Sequence, residues 1–262
     1  MLHPQGHTLL CSSAEPLIPG ETWLQSSKTD TWATSNKLKP IAVNPVDTSL
    51  WIKPASGTSV MVITEELNGP VSSVSDRISK LFESYAKEFS DLLKTDQVRS
   101  IVYSDRYLKS PWSAVLLSGF IELLSSDELE SVEIRTLRPK VNAAYPSREI
   151  KHDWIRDSDL TNCIEMLFSG AFGITPTVQL FDKTYDLQHG RSMEIEWASG
   201  RKSTLLFDQG MGYWNPKVQT KQQQLFNFSA TADAQEEKMQ RVFDTALMVN
   251  SGQWPTYLTV VN

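Results

Sequence analysis

From residue 74 to residue 261 the hydrophobic pattern of this chain switches repeatedly between a helical period and a strand period. That alternation leaves few architectures open, because a helix repeats its buried side about every 3.6 residues and a strand every two. Val74, Ile78, Leu81, Phe82, Tyr85, Phe89, Leu92 and Leu93 share one helical stripe. This predicts a single amphipathic helix over 74–93, with Ser73 and Asp76 as its cap. Ser100 to Tyr103 reads as a buried strand, and Pro111 opens a helix through Leu124, since proline suits a first helical turn. Val132 to Leu137 alternates as a strand, and 154–169 reads as a helix. Thr177 to Phe181 and Gln188 to Trp197 read as strands. The second turns at Ser199-Gly200 and returns along Ser203 to Phe207. A helix over 233–249 and a strand from Tyr257 to Val261 close the pattern. The fold class this predicts is α/β, a mixed sheet flanked by helices and covered on both faces.

Residues 1–70 are different. They are rich in Pro, Ser and Thr, and they hold Trp23, Trp32 and Trp51. Aromatic residues are depleted in unstructured segments, so this part reads as an irregular, β-leaning segment. A turn at Ser56-Gly57 leads it into a strand at Val60 to Ile63. The expected division is 1–70 and 71–262.

A net charge of −6 argues against wholesale attachment to nucleic acid or anionic membrane by overall charge and leaves a local basic patch open. The mild basic cluster of Arg135, Arg138, Lys140, Arg148 and Lys151 reads as a solvated loop. No stretch approaches the ~18 apolar residues of a membrane span, and the first residues lack the pattern of a secretory signal. Cys11 and Cys163 give neither a disulfide framework nor a metal spacing, and His3, His7 and His152 have no ligand spacing. The expectation is a reduced cytoplasmic protein without metal or cofactor.

Three segments carry candidate chemistry. Ser104 to Pro111 follows a strand and precedes a helix, where open α/β sheets collect ligands, and it presents Asp105 and Arg106. In His189-Gly190-Arg191, a strand beginning at Gln188 would put imidazole and guanidinium on one face with Met193, Ile195 and Trp197. Ser192, Glu194 and Glu196 would take the other face. Arg191 can fork two phosphate oxygens, and His189 can serve as nucleophile or general acid. The third segment, Asp208 to Trp214, contains Gly210 and Gly212. Two such glycines allow backbone N–H groups to approach an anion closely.

The run from Ile101 to Trp112, with Phe120 to Leu124 after it, resembles the opening of the MIT-protein C-terminal domain. That family has a strand, an Asp-Pro-Tyr turn, a basic residue, a Pro-Tyr pair and an amphipathic helix. The run from His189 to Trp214 is similar to its second signature, a His-x-Arg before a hairpin and a Gly-Arg-Gly-Leu-Asp-x-Phe loop. The resemblance spans about 96–262. Asp105 and Tyr107 match the turn, Lys109 the basic residue, His189 and Arg191 the His-x-Arg pair, and Gly210 and Trp214 the late loop. The chain departs from the pattern at Arg106, Gln209 and Gly212, and no MIT helical bundle precedes the domain. The resemblance implies a phospholipase D-like fold and a non-catalytic recognition or adaptor subunit. Its polar cleft would combine His189, Arg191, Asp105, Arg106, Tyr107, Lys109, Gly210 and Gly212. It would take a phosphate-bearing ligand (a lipid headgroup or nucleic acid) or a protein partner in a larger assembly. A second expectation rests on the same resemblance. His189-x-Arg191, four residues, then Glu196 is a variant of the His-x-Lys-x4-Asp motif of phospholipase D enzymes. That reading implies a homodimeric, metal-independent phosphodiesterase or nuclease.

Overall fold

The computed structural model describes residues 57–139, 147–250, 252 and 255–262. The expectations for residues 1–56, Trp23, Trp32, Trp51 and Cys11 among them, lie outside the described residues. In chain order the elements are β1 (Thr58–Ile63), β2 (Gly69–Pro70), α1 (Val74–Tyr85), α2 (Lys87–Thr95), β3 (Val98–Ser104), α3 (Pro111–Leu124), β4 (Ser131–Leu137), β5 (Ser147–Glu149) and α4 (Asp157–Phe172). They continue with β6 (Thr177–Phe181), β7 (Arg191–Trp197), β8 (Lys202–Phe207), β9 (Trp214–Lys217), α5 (Lys221–Gln224), β10 (Leu225–Asn227), α6 (Ala232–Thr245), β11 (Leu247–Asn250) and β12 (Thr256–Val261).

The main sheet has seven strands in the order β1-β12-β8-β7-β3-β4-β6. β3, β4 and β6 run parallel to one another, and the other pairings are antiparallel. This is the expected mixed α/β sheet. Two small sheets, β10-β5 and β2-β11-β9, were not legible in the hydrophobic pattern. β1 belongs to the main sheet through β12, so the strand expected at the end of the N-terminal segment is continuous with the rest of the fold.

The sheet buries one face. Ile101, Tyr103, Ile134, Met193, Ile195, Leu205, Leu258 and Val260 lie side by side in the register and are all buried. Their neighbours on the other face, among them Val102, Glu133, Arg135, Glu194, Glu196, Thr204 and Thr259, are partly or fully exposed. The expectation of two covered faces is corrected here. Strands covered on both faces carry continuous apolar runs, whereas Val132-Glu133-Ile134-Arg135 alternates as a half-solvated strand does.

Over the buried face, α3 is apolar all round, and every residue from Pro111 to Ile121 is buried. Such a helix must be enclosed. Ser110 caps it, its hydroxyl accepting from the Ser113 amide at 3.3 Å. Gly119 is the contact with α1: a Cβ there would lie 2.2 Å from Cγ1 of Val74.

The single helix expected over 74–93 is two. Ala86, buried at φ −135° and ψ 59°, breaks it. In a straight helix Phe82 and Phe89 would be about 10 Å apart along the axis. The break instead brings their rings to 4.8 Å, edge to face, and sets Phe89 5.6 Å from Trp197. At the C-terminal end the helix expected to reach 249 stops at Thr245. Leu247 to Asn250 pair with β9 and β2 instead, so sheet hydrogen bonds override the helical continuation. No helix among the described residues is long and apolar enough to cross a membrane. Cys163 is free and buried, and burial pushes its thiol pKa up.

Candidate functional site

β3 ends at Ser104, and the residue after it, Asp105, turns its carboxylate back into the protein. Asp105 is 1% exposed. Oδ2 accepts the Tyr103 hydroxyl at 2.9 Å, and Oδ1 accepts the Tyr107 amide at 2.7 Å. That second bond is an Asx turn, which shapes the strand-to-helix loop. Nε of Arg191, the first residue of β7, lies 3.3 Å from Oδ1 as an ion pair without hydrogen-bond alignment. Nη1 of Arg191 donates to the carbonyl of Asp208. Burial pushes the Asp105 carboxyl above its ordinary range, while the Arg191 guanidinium, the Tyr107 amide and the Tyr103 hydroxyl pull the other way. The Tyr103 hydroxyl is held well above its usual value, first by burial and then by the Asp105 charge.

Gly210 closes the group from above. Its backbone, at φ 65° and ψ −167°, lies in a region open essentially to glycine alone. A Cβ there would be 2.4 Å from Cδ of Arg191 and 2.7 Å from Oδ2 of Asp105. Asp105, Arg191 and Gly210, from three separate expected segments, therefore meet. They meet as an interior ion pair under a backbone lid, with only 14% of the Arg191 side chain exposed.

The neighbouring surface is built by two loops. In the 104–110 turn, Tyr107 is 39% exposed, with Nζ of Lys109 5.2 Å and Cζ of Arg191 4.9 Å from its ring centre. Leu108 and Lys109 are tied down through their carbonyls, which accept from Nε1 and the amide of Trp154 at 3.0 and 2.9 Å. In the loop between β6 and β7, Arg106 donates Nε to the carbonyl of Leu187 at 2.8 Å, with Nη2 on the same oxygen. His189 is exposed, and its ring lies 6.3 Å from Tyr107.

β7 begins at Arg191, so His189 lies in the loop and not on the strand face expected for it. Neither partner strand extends far enough to hold it: the β7 ladders end at the pairs Arg191–Phe207 and Ser104–Ser192. Glu196 is on the opposite sheet face from Arg191 and five positions along, roughly 16 Å away. Gly212 is exposed, and a Cβ added there would meet nothing within 4 Å. Three residues escaped the sequence reading. Tyr103 reads in the sequence only as part of a buried strand, although a tyrosine two before a strand-end aspartate is a hydrogen-bond signal. Lys183 and Tyr185 carry no expectation from the sequence. Tyr185 is 73% exposed with Nζ of Lys183 5.3 Å from its ring centre, and its Lys-x-Tyr spacing mirrors Tyr107-x-Lys109.

In comparison with known protein families, residues 57–262 match the model described as the DEAD/DEAH box helicase YjiV, C-terminal domain. No curated protein matches the chain. The family match overturns the resemblance to the MIT C-terminal and phospholipase D-like domains, which covered much of the same stretch. The adaptor and phosphodiesterase readings fall with it. The physical reason is that a strand, a polar turn and a helix in that order, or a His-x-Arg before a hairpin, are motifs any α/β sheet can supply.

Proposed function

The chain belongs to the family of C-terminal domains of the DEAD/DEAH box helicase YjiV, and from that we propose that it works as the non-motor accessory module of such a helicase. The observation that carries this reading is the extent of the match, which takes in every strand of the seven-stranded sheet. The sequence contains no G-x-x-x-x-G-K-[S/T] loop of the kind that cradles nucleotide phosphates. Coupling to ATP thus falls to the motor, and this module contributes contacts. Its protein partner in the assembly is the motor itself, and a cytoplasmic location belongs to the same proposal.

The test is to mix the full chain with the motor domains of a DEAD/DEAH box helicase of this family. Comigration on gel filtration and a changed rate of ATP-dependent strand separation are expected. Separate elution together with an unchanged rate would overturn the reading.

A further inference from the structure

We infer that the surface shared by the 104–110 turn and the 182–190 loop binds single-stranded nucleic acid by stacking unpaired bases on Tyr107 and Tyr185; this deepens the helicase reading above and rests on it. Both rings are large, flat and exposed, Tyr185 at 73% and Tyr107 at 39%. A tyrosine held out in water forgoes the stabilisation of burial, yet each here stands on an anchored loop. The Asx turn of Asp105 and the two bonds to Trp154 set the first loop, and the Arg106 bond to Leu187 sets the second and joins it to the first. Loops anchored before binding lose little backbone entropy when a base arrives.

The cations are placed to match. Each tyrosine has a lysine two residues away, with Nζ 5.2 Å from the ring centre at Tyr107 and 5.3 Å at Tyr185. A base stacking on either ring takes the place of its lysine, and the ammonium moves to the backbone phosphate beside that base. His189, exposed 6.3 Å from Tyr107, adds a third flat ring. Paired aromatic and cationic groups of this kind hold unpaired strands without reading sequence, because every base has a π-face and every nucleotide a phosphate. A duplex hides those base faces, so the site selects single strands. With a net charge of −6, binding depends on these local groups.

The experiment is a fluorescence-anisotropy titration of the full chain with a labelled oligothymidylate of about twenty nucleotides and with a duplex of equal length. Expected is salt-dependent binding of the single strand, with the duplex weaker. Tyr185→Ala and Tyr107→Ala should each weaken it roughly tenfold, from the worth of one stacked base, and Tyr185→Phe should bind as wild type. The high exposure of Tyr185 keeps its variants folded, which circular dichroism checks. Equal affinity for duplex, no binding, or binding indifferent to Tyr185→Ala would each overturn the inference. So would a Tyr185→Ala variant that keeps the oligonucleotide but loses the motor, since the surface would then be a protein interface. The titration contains neither motor nor ATP, so its failure leaves the co-assembly test standing, and the reverse holds.

Discussion

Nε of Arg191 and Oδ1 of Asp105 lie 3.3 Å apart at the junction of β7 and the β3 turn, almost out of reach of water. A buried pair holds the fold mainly through what its loss leaves behind. Arg191→Met strands the Asp105 carboxylate and should cost about 3 kcal/mol, read as a lower urea midpoint. The double variant Arg191→Met, Asp105→Leu removes the stranded charge and should recover part of that loss.

The raised carboxyl of Asp105 gives a pH signature. Above the ordinary carboxylate range near pH 4, the unfolded chain has lost a proton that the folded protein still holds. The contribution of Asp105 is therefore fully present below that range and falls as pH rises through the raised value. Asn has no proton to lose. The stability of wild type minus that of Asp105→Asn, from urea curves across a pH series, should decline as pH rises from about 4. A difference that grows instead would reverse the sign argued here.

Two glycines with positive φ should respond differently to alanine. Gly173 closes α4 at φ 66° with nothing within 4 Å of an added Cβ, so only backbone strain opposes alanine, about 1 kcal/mol. Gly210 adds collisions with Arg191 and Asp105, and Gly210→Ala should cost at least about 3 kcal/mol. Thermal midpoints of the two variants, measured together, check the order.

Gly119 and Val74 should be coupled. Gly119→Ala drives a methyl into Cγ1 of Val74 and should destabilise by about 2 kcal/mol. Val74→Ala in the same chain makes room, so the double variant should be more stable than the sum of the singles requires. A double-mutant cycle with no interaction energy would contradict the packing described between α1 and α3.

Arg106→Ala should loosen the 182–190 loop while leaving the sheet intact. Faster amide exchange confined to that loop, with an unchanged global unfolding midpoint, is the expected result.

The large elements were legible because their periodicity is written by burial. Pro111 to Leu124, Val132 to Leu137 and Thr177 to Phe181 carry their own punctuation, and β3 and β8 needed only a residue or more at their ends. The break at Ala86 was hidden because alanine favours helix, and the stripe from Val74 to Leu93 continues across it; the Phe82, Phe89 and Trp197 rings decide the matter from a distance. β11 was hidden because four residues after a helix hold no period of their own. At the site, Asp105, Arg191 and Gly210 meet, but the sense of the cluster is not readable from the sequence. Whether a guanidinium faces solvent or a buried carboxylate depends on Asp208 and Gly210, which lie across a hairpin. Tyr185 carries no pattern except its exposure, a property of the folded chain.

β12 sits between β1 and β8, so among the described residues β1 is hydrogen-bonded into the sheet through β12. During synthesis Thr58–Ile63 emerges some two hundred residues ahead of the six-residue segment it must pair with. In vectorial folding β1 is therefore without its partner strand until Thr256–Val261 has emerged. Removing Thr256–Val261 would take from β1 its hydrogen-bonding partner and leave its hold to the core packing of Met61 and Ile63.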